Sequence, residues 1–346
     1  MIGKPVKGPA YQALNIDDVK LPTDHPHPLV RRLFSFWAPT TATLRGWALA
    51  AVVANAGITV SGAVVRVTGS GLGCPTWPRC TPDSFIPVAH PEVSPINMAI
   101  EFGNRLVTFL VLVIGLACWV AAMRLRPRRA SLVKLAWLQP IGIAAQALWG
   151  GVVVSTLLNP FTVGMHFLLS IGLTAACWAL YARAGEGDAP VRRVVHRDVR
   201  RLGHALLAAV FALLVMGVLV TGTGPHSGDE LASRFDLDIE TVARLHADIA
   251  YLVVGLTFAL LFALHVTDSP RSARRAALAL LGIELLQGVI GYVQYFLGVP
   301  AVLVALHVIG ATVVWIFTLR AVTALRTRDP AGPGASPSPT EAAATA

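Results

Sequence analysis

The chain has 346 residues, 55% of them hydrophobic and only 14% charged, with a mean hydropathy of +0.64. Soluble domains carry about 25% charged residues, so this composition excludes an ordinary soluble domain and points to a multi-span membrane protein. The net charge of +9 does not argue for nucleic acid, because the basic residues sit in short loops beside apolar spans and no nucleic-acid motif accompanies them.

The first forty residues are polar and lack the apolar stretch of a cleavable signal, so the first span itself is expected to direct insertion. A spanning helix needs ~20 mostly apolar residues. Eight such windows follow in order: 44–66, 98–122, 132–154, 162–182, 202–221, 242–265, 273–296 and 300–322. The third contains Gln146 and the seventh Glu284 and Gln287, polar groups that need shelter from lipid. The expected fold class is therefore all-α, with eight transmembrane helices as two tandem parallel four-helix bundles.

The loops alternate in charge. Segments 124–134, 183–202 and 266–275 hold fourteen Lys and Arg, whereas 67–97, 154–161, 222–241 and 297–299 hold only Arg79 and Arg234. The positive-inside rule then places both termini in the cytoplasm. The segment after Thr327 is rich in Pro, Ala and Ser and is expected to be disordered.

Spans one to four resemble spans five to eight. Val67-Thr68-Gly69 matches Val220-Thr221-Gly222, and Leu148-Trp149-Gly150-Gly151 is set against Leu286-Gln287-Gly288-Val289. The fourth and eighth spans each place a histidine soon after their outer end, His166 and His307. Four is even, so the repeat is parallel, about an axis along the membrane normal. Chance recurrence of small-residue motifs is the alternative.

Of ten histidines, seven read as solvated: His25, His27 and His196 in charged segments, His204 and His265 at helix ends, and His90 and His226 in outer loops. His166, His246 and His307 lie in apolar stretches, roughly 6–10 Å below the outer ends of their helices. An ionisable side chain there is costly and reads as functional, and neutral imidazole is a common ligand of metal and haem iron. A hydrogen bond to a neighbouring helix is the plainer account of any single one. His246 and His307, on the sixth and eighth spans, suit a bis-His haem site in a four-helix bundle. The repeat sets Asn104 opposite His166 where a fourth histidine is expected, so the first half offers a one-histidine haem pocket. Glu101, one turn before Asn104, is a candidate base or charge stabiliser, or else an ion-pair partner of Arg105. Arg66 and Arg105 near the outer interface are candidate partners of haem propionates, or snorkelling side chains.

Cys118 and Cys177 lie in apolar spans and read as small hydrophobes. Cys74 and Cys80 flank Pro75-Thr76-Trp77-Pro78-Arg79 in the first outer loop. A disulfide is the first reading in an oxidising compartment. A zinc site and a redox-active pair are the alternatives.

The run GAVVRVTGSGLGCPTWPRC resembles the outer-loop signature of bacterial haem A synthases. So do the second-span EFGNR, the region of His166, the RLH ending at His246, and GVPAVLVALH ending at His307. The similarity runs over residues 44–322. It implies oxidation of the C8 methyl of haem O to the formyl group of haem A by successive hydroxylations and loss of water, in supply of a terminal oxidase. It implies haem b held by His246 and His307, substrate haem O in the half that carries His166 and Glu101, where Asn104, Arg105 and Arg66 are the other candidate contacts, and a Cys74–Cys80 disulfide. Many members have E-x-x-H-R where this chain has Glu101-x-x-Asn104-Arg105. The expected organisation is a cytoplasmic tail over 1–43, a substrate-haem half over 44–184, a haem b half over 200–322 and a cytoplasmic tail over 323–346. The location implied is the bacterial plasma membrane, with both haem sites toward the outer face. Haem O synthase and oxidase assembly factors are candidate partners. A non-catalytic haem-binding electron carrier or haem-delivery chaperone is the competing reading. A transporter fits less well, because the polar groups cluster on one side.

Overall fold

The computed structural model describes residues 37–88 and 93–328. The expected tails therefore lie largely outside the described residues, as do His25, His27 and His90. All eight expected spans are helices: α1 (Thr41–Val67), α2 (Pro95–Arg124), α3 (Ala130–Ser155), α4 (Pro160–Ala184), α5 (Arg197–Thr223), α6 (Ile239–Val266), α7 (Arg271–Phe296) and α8 (Ala301–Thr323). Each is long and apolar enough to cross a membrane, so the chain is an all-α, multi-pass membrane protein.

The helix ends follow from local chemistry. Thr40 and Thr43 form a reciprocal capping box at α1. The Asp238 carboxylate accepts from the Thr241 N–H at 2.8 Å to start α6. Pro95 and Pro160 sit at helix starts, where their missing N–H costs nothing.

Helices α1–α4 pack as one ring, α1 on α2, α2 on α3, α3 on α4 and α4 on α1. Helices α5–α8 close the same way, and the halves meet through α1 on α8, α4 on α5 and α4 on α8. Exchanging α1 with α5 and α4 with α8 maps this interface onto itself, as a two-fold repeat requires. At its centre the Trp315 indole N–H on α8 donates to the Ile171 carbonyl on α4 at 3.0 Å.

Paired contacts set the register of the repeat. The Gln146 amide on α3 donates to the His166 carbonyl on α4 at 3.2 Å, and Gln287 on α7 donates to the His307 carbonyl on α8 at 2.7 Å. Gly150 lies against the His166 ring and Gly291 against the His307 ring. Gly115 on α2 packs on Ile143 of α3, and the equivalent Thr257 on α6 hydrogen-bonds Glu284 of α7 at 3.0 Å. The duplication stands, but Gln146 pairs with Gln287 and Gly150 with Gly291. This corrects the sequence expectation that set Gly150 against Gly288, by three residues. One helical turn is close to that slip, so small-residue matching alone cannot separate the two registers.

The arginine-rich end is tied by a two-stranded antiparallel pair, β1 (Arg192–Arg193) with β2 (Arg326–Thr327). Beside it Arg129 donates to both oxygens of Asp188, and Arg183, Arg326 and Arg328 surround Glu186. The apolar stripes of the helices are exposed on the outside of the bundle, Phe109, Phe262 and Val302 among them, as lipid-facing residues are.

Candidate functional site

The candidate residues gather at the end opposite that arginine-rich clamp. His166 and His307 are each the seventh residue of their helix, α4 and α8, and His246 is the eighth of α6. Helix α8 brings His307 toward His246. The two ring centroids lie 6.3 Å apart, with planes inclined at 62°. Two imidazoles on opposite sides of one metal ion, with bonds of about 2 Å each, place their ring centres roughly 6 Å apart. A methyl group at Gly217 or Gly291 would come within 3.3 Å of the His246 ring or 3.1 Å of the His307 ring, so both rings pack directly on glycine backbone. The Nδ1 atoms of His166 and His307 are buried without a hydrogen-bond partner among the described residues. No group of three or more His, Cys, Asp and Glu gathers among those residues. The facing rings of His246 and His307 therefore stand as a pair of imidazoles with no third such side chain beside them among the described residues.

The first half is built differently. Asn104 is held by the Ser61 hydroxyl of α1, which donates to its Oδ1 at 2.6 Å. Glu101 is buried, and both its oxygens are engaged. The Cys74 N–H donates to Oε2 at 2.6 Å, and Arg105 donates to Oε1 at 2.7 and 3.2 Å. Arg105 also donates to the carbonyls of Cys74 at 2.9 Å and Arg79 at 3.1 Å. The pair therefore grips the ring closed by the Cys74–Cys80 disulfide. The ion pair with Arg105 weighed in the sequence is present, and its carboxylate is buried.

The same loop leans on the bundle. The Trp77 indole lies on Gly151 of α3, where a Cβ would be 2.7 Å from the ring, and Gly73 sits against the Asn97 backbone. Only glycine permits either approach. Arg66 leaves its own half, donating to the Thr221 carbonyl of α5 at 2.6 Å. The loops also join across the halves, with the Gly71 N–H donating to the Gly228 carbonyl at 2.8 Å.

Three features go beyond the sequence reading. Gln146 and Gln287 steady the helix turns that carry His166 and His307. Their recurrence four residues before a glycine is the signal that would have found them. His226 is not simply solvated, since its Nε2 meets the Val299 carbonyl at 3.0 Å. Cys177 is buried but not inert packing: it receives a hydrogen bond from Asn55 at 3.2 Å and gives one to Gln139 at 2.7 Å.

The model of the cytochrome oxidase assembly protein family matches residues 45–319. A protein named Protoheme IX farnesyltransferase from Thermus thermophilus is 29% identical over 314 residues, covering 83% of this chain and 49% of that protein. Heme A synthase of Lysinibacillus sphaericus is 33% identical over 182 residues, 52% of this chain and 56% of the relative. Heme A synthase of Listeria monocytogenes is 28% identical over 197 residues, 55% and 60% respectively. The chain thus spans about half the length of the curated relatives it matches. With a family match that runs from the first span into the eighth, the chain belongs to the cytochrome oxidase assembly protein family.

Proposed function

We propose that this protein is a haem A synthase, an oxidoreductase that converts the C8 methyl of haem O to the formyl group of haem A by successive hydroxylations. The observation that carries the reading is the opposed His246–His307 pair beside a half that keeps one histidine, His166. Family membership and relatives named Heme A synthase support it. In this proposal His246 and His307 would hold haem b, and Gly217 and Gly291 against their rings would limit how the imidazoles turn. Haem b, when bound, supplies one-electron chemistry between two iron oxidation states.

His166 is the ligand proposed for the substrate haem, with Asn104 opposite too weak a donor to complete a bis-His site. Arg66 and Arg105 are the cations proposed near its propionates. Both already bind backbone carbonyls, so they would meet a propionate as part of a fixed frame. The sequence reading offered Glu101 as a catalytic base or charge stabiliser, or as an ion-pair partner of Arg105. Its two occupied oxygens favour a positioning role instead, holding the disulfide loop in place. The same proposal puts the arginine-rich end in the bacterial cytoplasm and both haem sites toward the outer face. Haem O synthase is the proposed partner, supported by the farnesyltransferase name on a relative twice as long as the matched region.

The competing reading is a haem carrier or delivery chaperone, which the His246–His307 pair would serve equally. Co-expression with a haem O synthase separates them. Extracted pigment should contain haem A and its hydroxylated precursor, and folded, haem-loaded protein that yields neither sinks the enzyme reading. His246→Ala and His307→Ala should each abolish the low-spin b-type spectrum, and an unchanged spectrum discards the ligand assignment.

A further inference from the structure

The internal repeat offers a control for every surface feature: what one half has and the other lacks is not required by the fold. Between α6 and α7, at the arginine-rich end, lies a groove of about 480 Å³. Its walls are Phe258, Leu261, Phe262 and Leu278, and its rim carries His265, Arg274 and Arg275. In the register set above, Leu261 corresponds to Trp119 of α2 and Leu278 to Trp137 of α3. Those two tryptophans pack on each other with ring centroids 4.4 Å apart. The first half therefore fills with aromatic rings the space that the second half leaves open.

The rim changes as well. Arg274 and Arg275 stand where the first half has Val133 and Lys134, and His265 where it has Met123. No ion pair joins Arg274 or Arg275 to an acidic side chain among the described residues. The two arginines are the fourth and fifth residues of α7, and His265 lies in the last turn of α6. Phe258 is seven residues deeper along α6 than His265, or ~10 Å. The basic rim thus sits at the depth of lipid head groups, and the apolar walls at the depth of acyl chains.

We propose that this groove is a binding site for an anionic phospholipid, with the phosphate between Arg274 and Arg275 and an acyl chain along Phe258, Phe262 and Leu278. Guanidinium groups match phosphate with paired N–H donors. Basic pockets between spanning helices on the cytoplasmic side bind anionic head groups in this manner. The site owes nothing to the haem reading and stands or falls separately from it.

The test is native mass spectrometry of the purified full-length protein as isolated, titrated with phosphatidylglycerol and, in parallel, phosphatidylcholine. The wild type should retain phosphatidylglycerol in preference. Arg274→Gln/Arg275→Gln should lose about twenty-five-fold in that affinity, since each arginine contributes roughly fivefold. Leu261→Trp/Leu278→Trp, which transplants the packing of the first half, should lose it with the arginines intact. Equal retention of both lipids by the wild type, or an unchanged preference in the arginine variant, overturns the proposal. So does a wild-type dimer that the arginine variant dissolves, because the groove would then be a contact between two copies of this chain.

Discussion

Glu101 carries two partners at once, the Cys74 amide and the Arg105 guanidinium. Both bonds are charge-assisted and buried, and such bonds contribute about 1.5–3 kcal/mol each. Removing the carboxylate also leaves Arg105 without its counter-charge. Glu101→Ala should therefore raise amide hydrogen exchange across residues 74–80 roughly ten- to a hundredfold while helix content holds. Exchange at the wild-type rate would mean that the loop is held from elsewhere. The histidines are legible in the sequence because ionisable side chains stand out in apolar runs. The grip of Glu101 on the loop is not, since it joins residues 27 apart through a backbone N–H that no side-chain pattern reveals.

The close contact of Gly291 with the His307 ring is a property of how α7 and α8 approach. A Cβ there would stand 3.1 Å from the imidazole, tighter than ordinary van der Waals contact. Gly291→Val should turn or displace the ring and weaken the b-type spectrum, whereas Gly288→Val, with open space around it, should not. Equal effects would point to helix propensity rather than ring contact. At the other end of the helices, hydrogen bonds from Arg129 hold the Asp188 carboxyl below the usual aspartate range, with Arg183 adding to the effect. A depressed folded-state value contributes stability above the unfolded value of ~3.9, and that contribution is lost as pH falls through the folded value. The thermal midpoint of the wild type should thus exceed that of Asp188→Asn at neutral pH, with the gap closing below about pH 4. A gap that persists there would assign the effect to shape and not charge. Helix positions are legible at this scale because ~20 apolar residues leave few alternatives. Helix rotation is not, which is why the third and seventh spans align a turn away from where their glycines suggest.

The whole molecule reads from its sequence as two similar halves that already differ at Asn104. The structure repeats the helix packing in both halves and adds further differences in the side chains. One half has Ile143 where the other has Glu284, a packed tryptophan pair where the other has an open groove, and Asn104 where the other has His246. The two halves are joined on their inner faces by Trp315 and at the loop end by Arg66 and Gly71. The pairing of β1 with β2 has a further consequence for the chain as a string. It sets the link between the halves beside the residues that follow α8, while Arg45 near the start of α1 lies against Gly185 at the end of α4. Covalent continuity through that link is therefore not what brings the halves together. A chain severed between Pro190 and Val191, with both pieces produced in one cell, should reassemble and copurify as a pair, each piece carrying its own copy of the ancestral bundle.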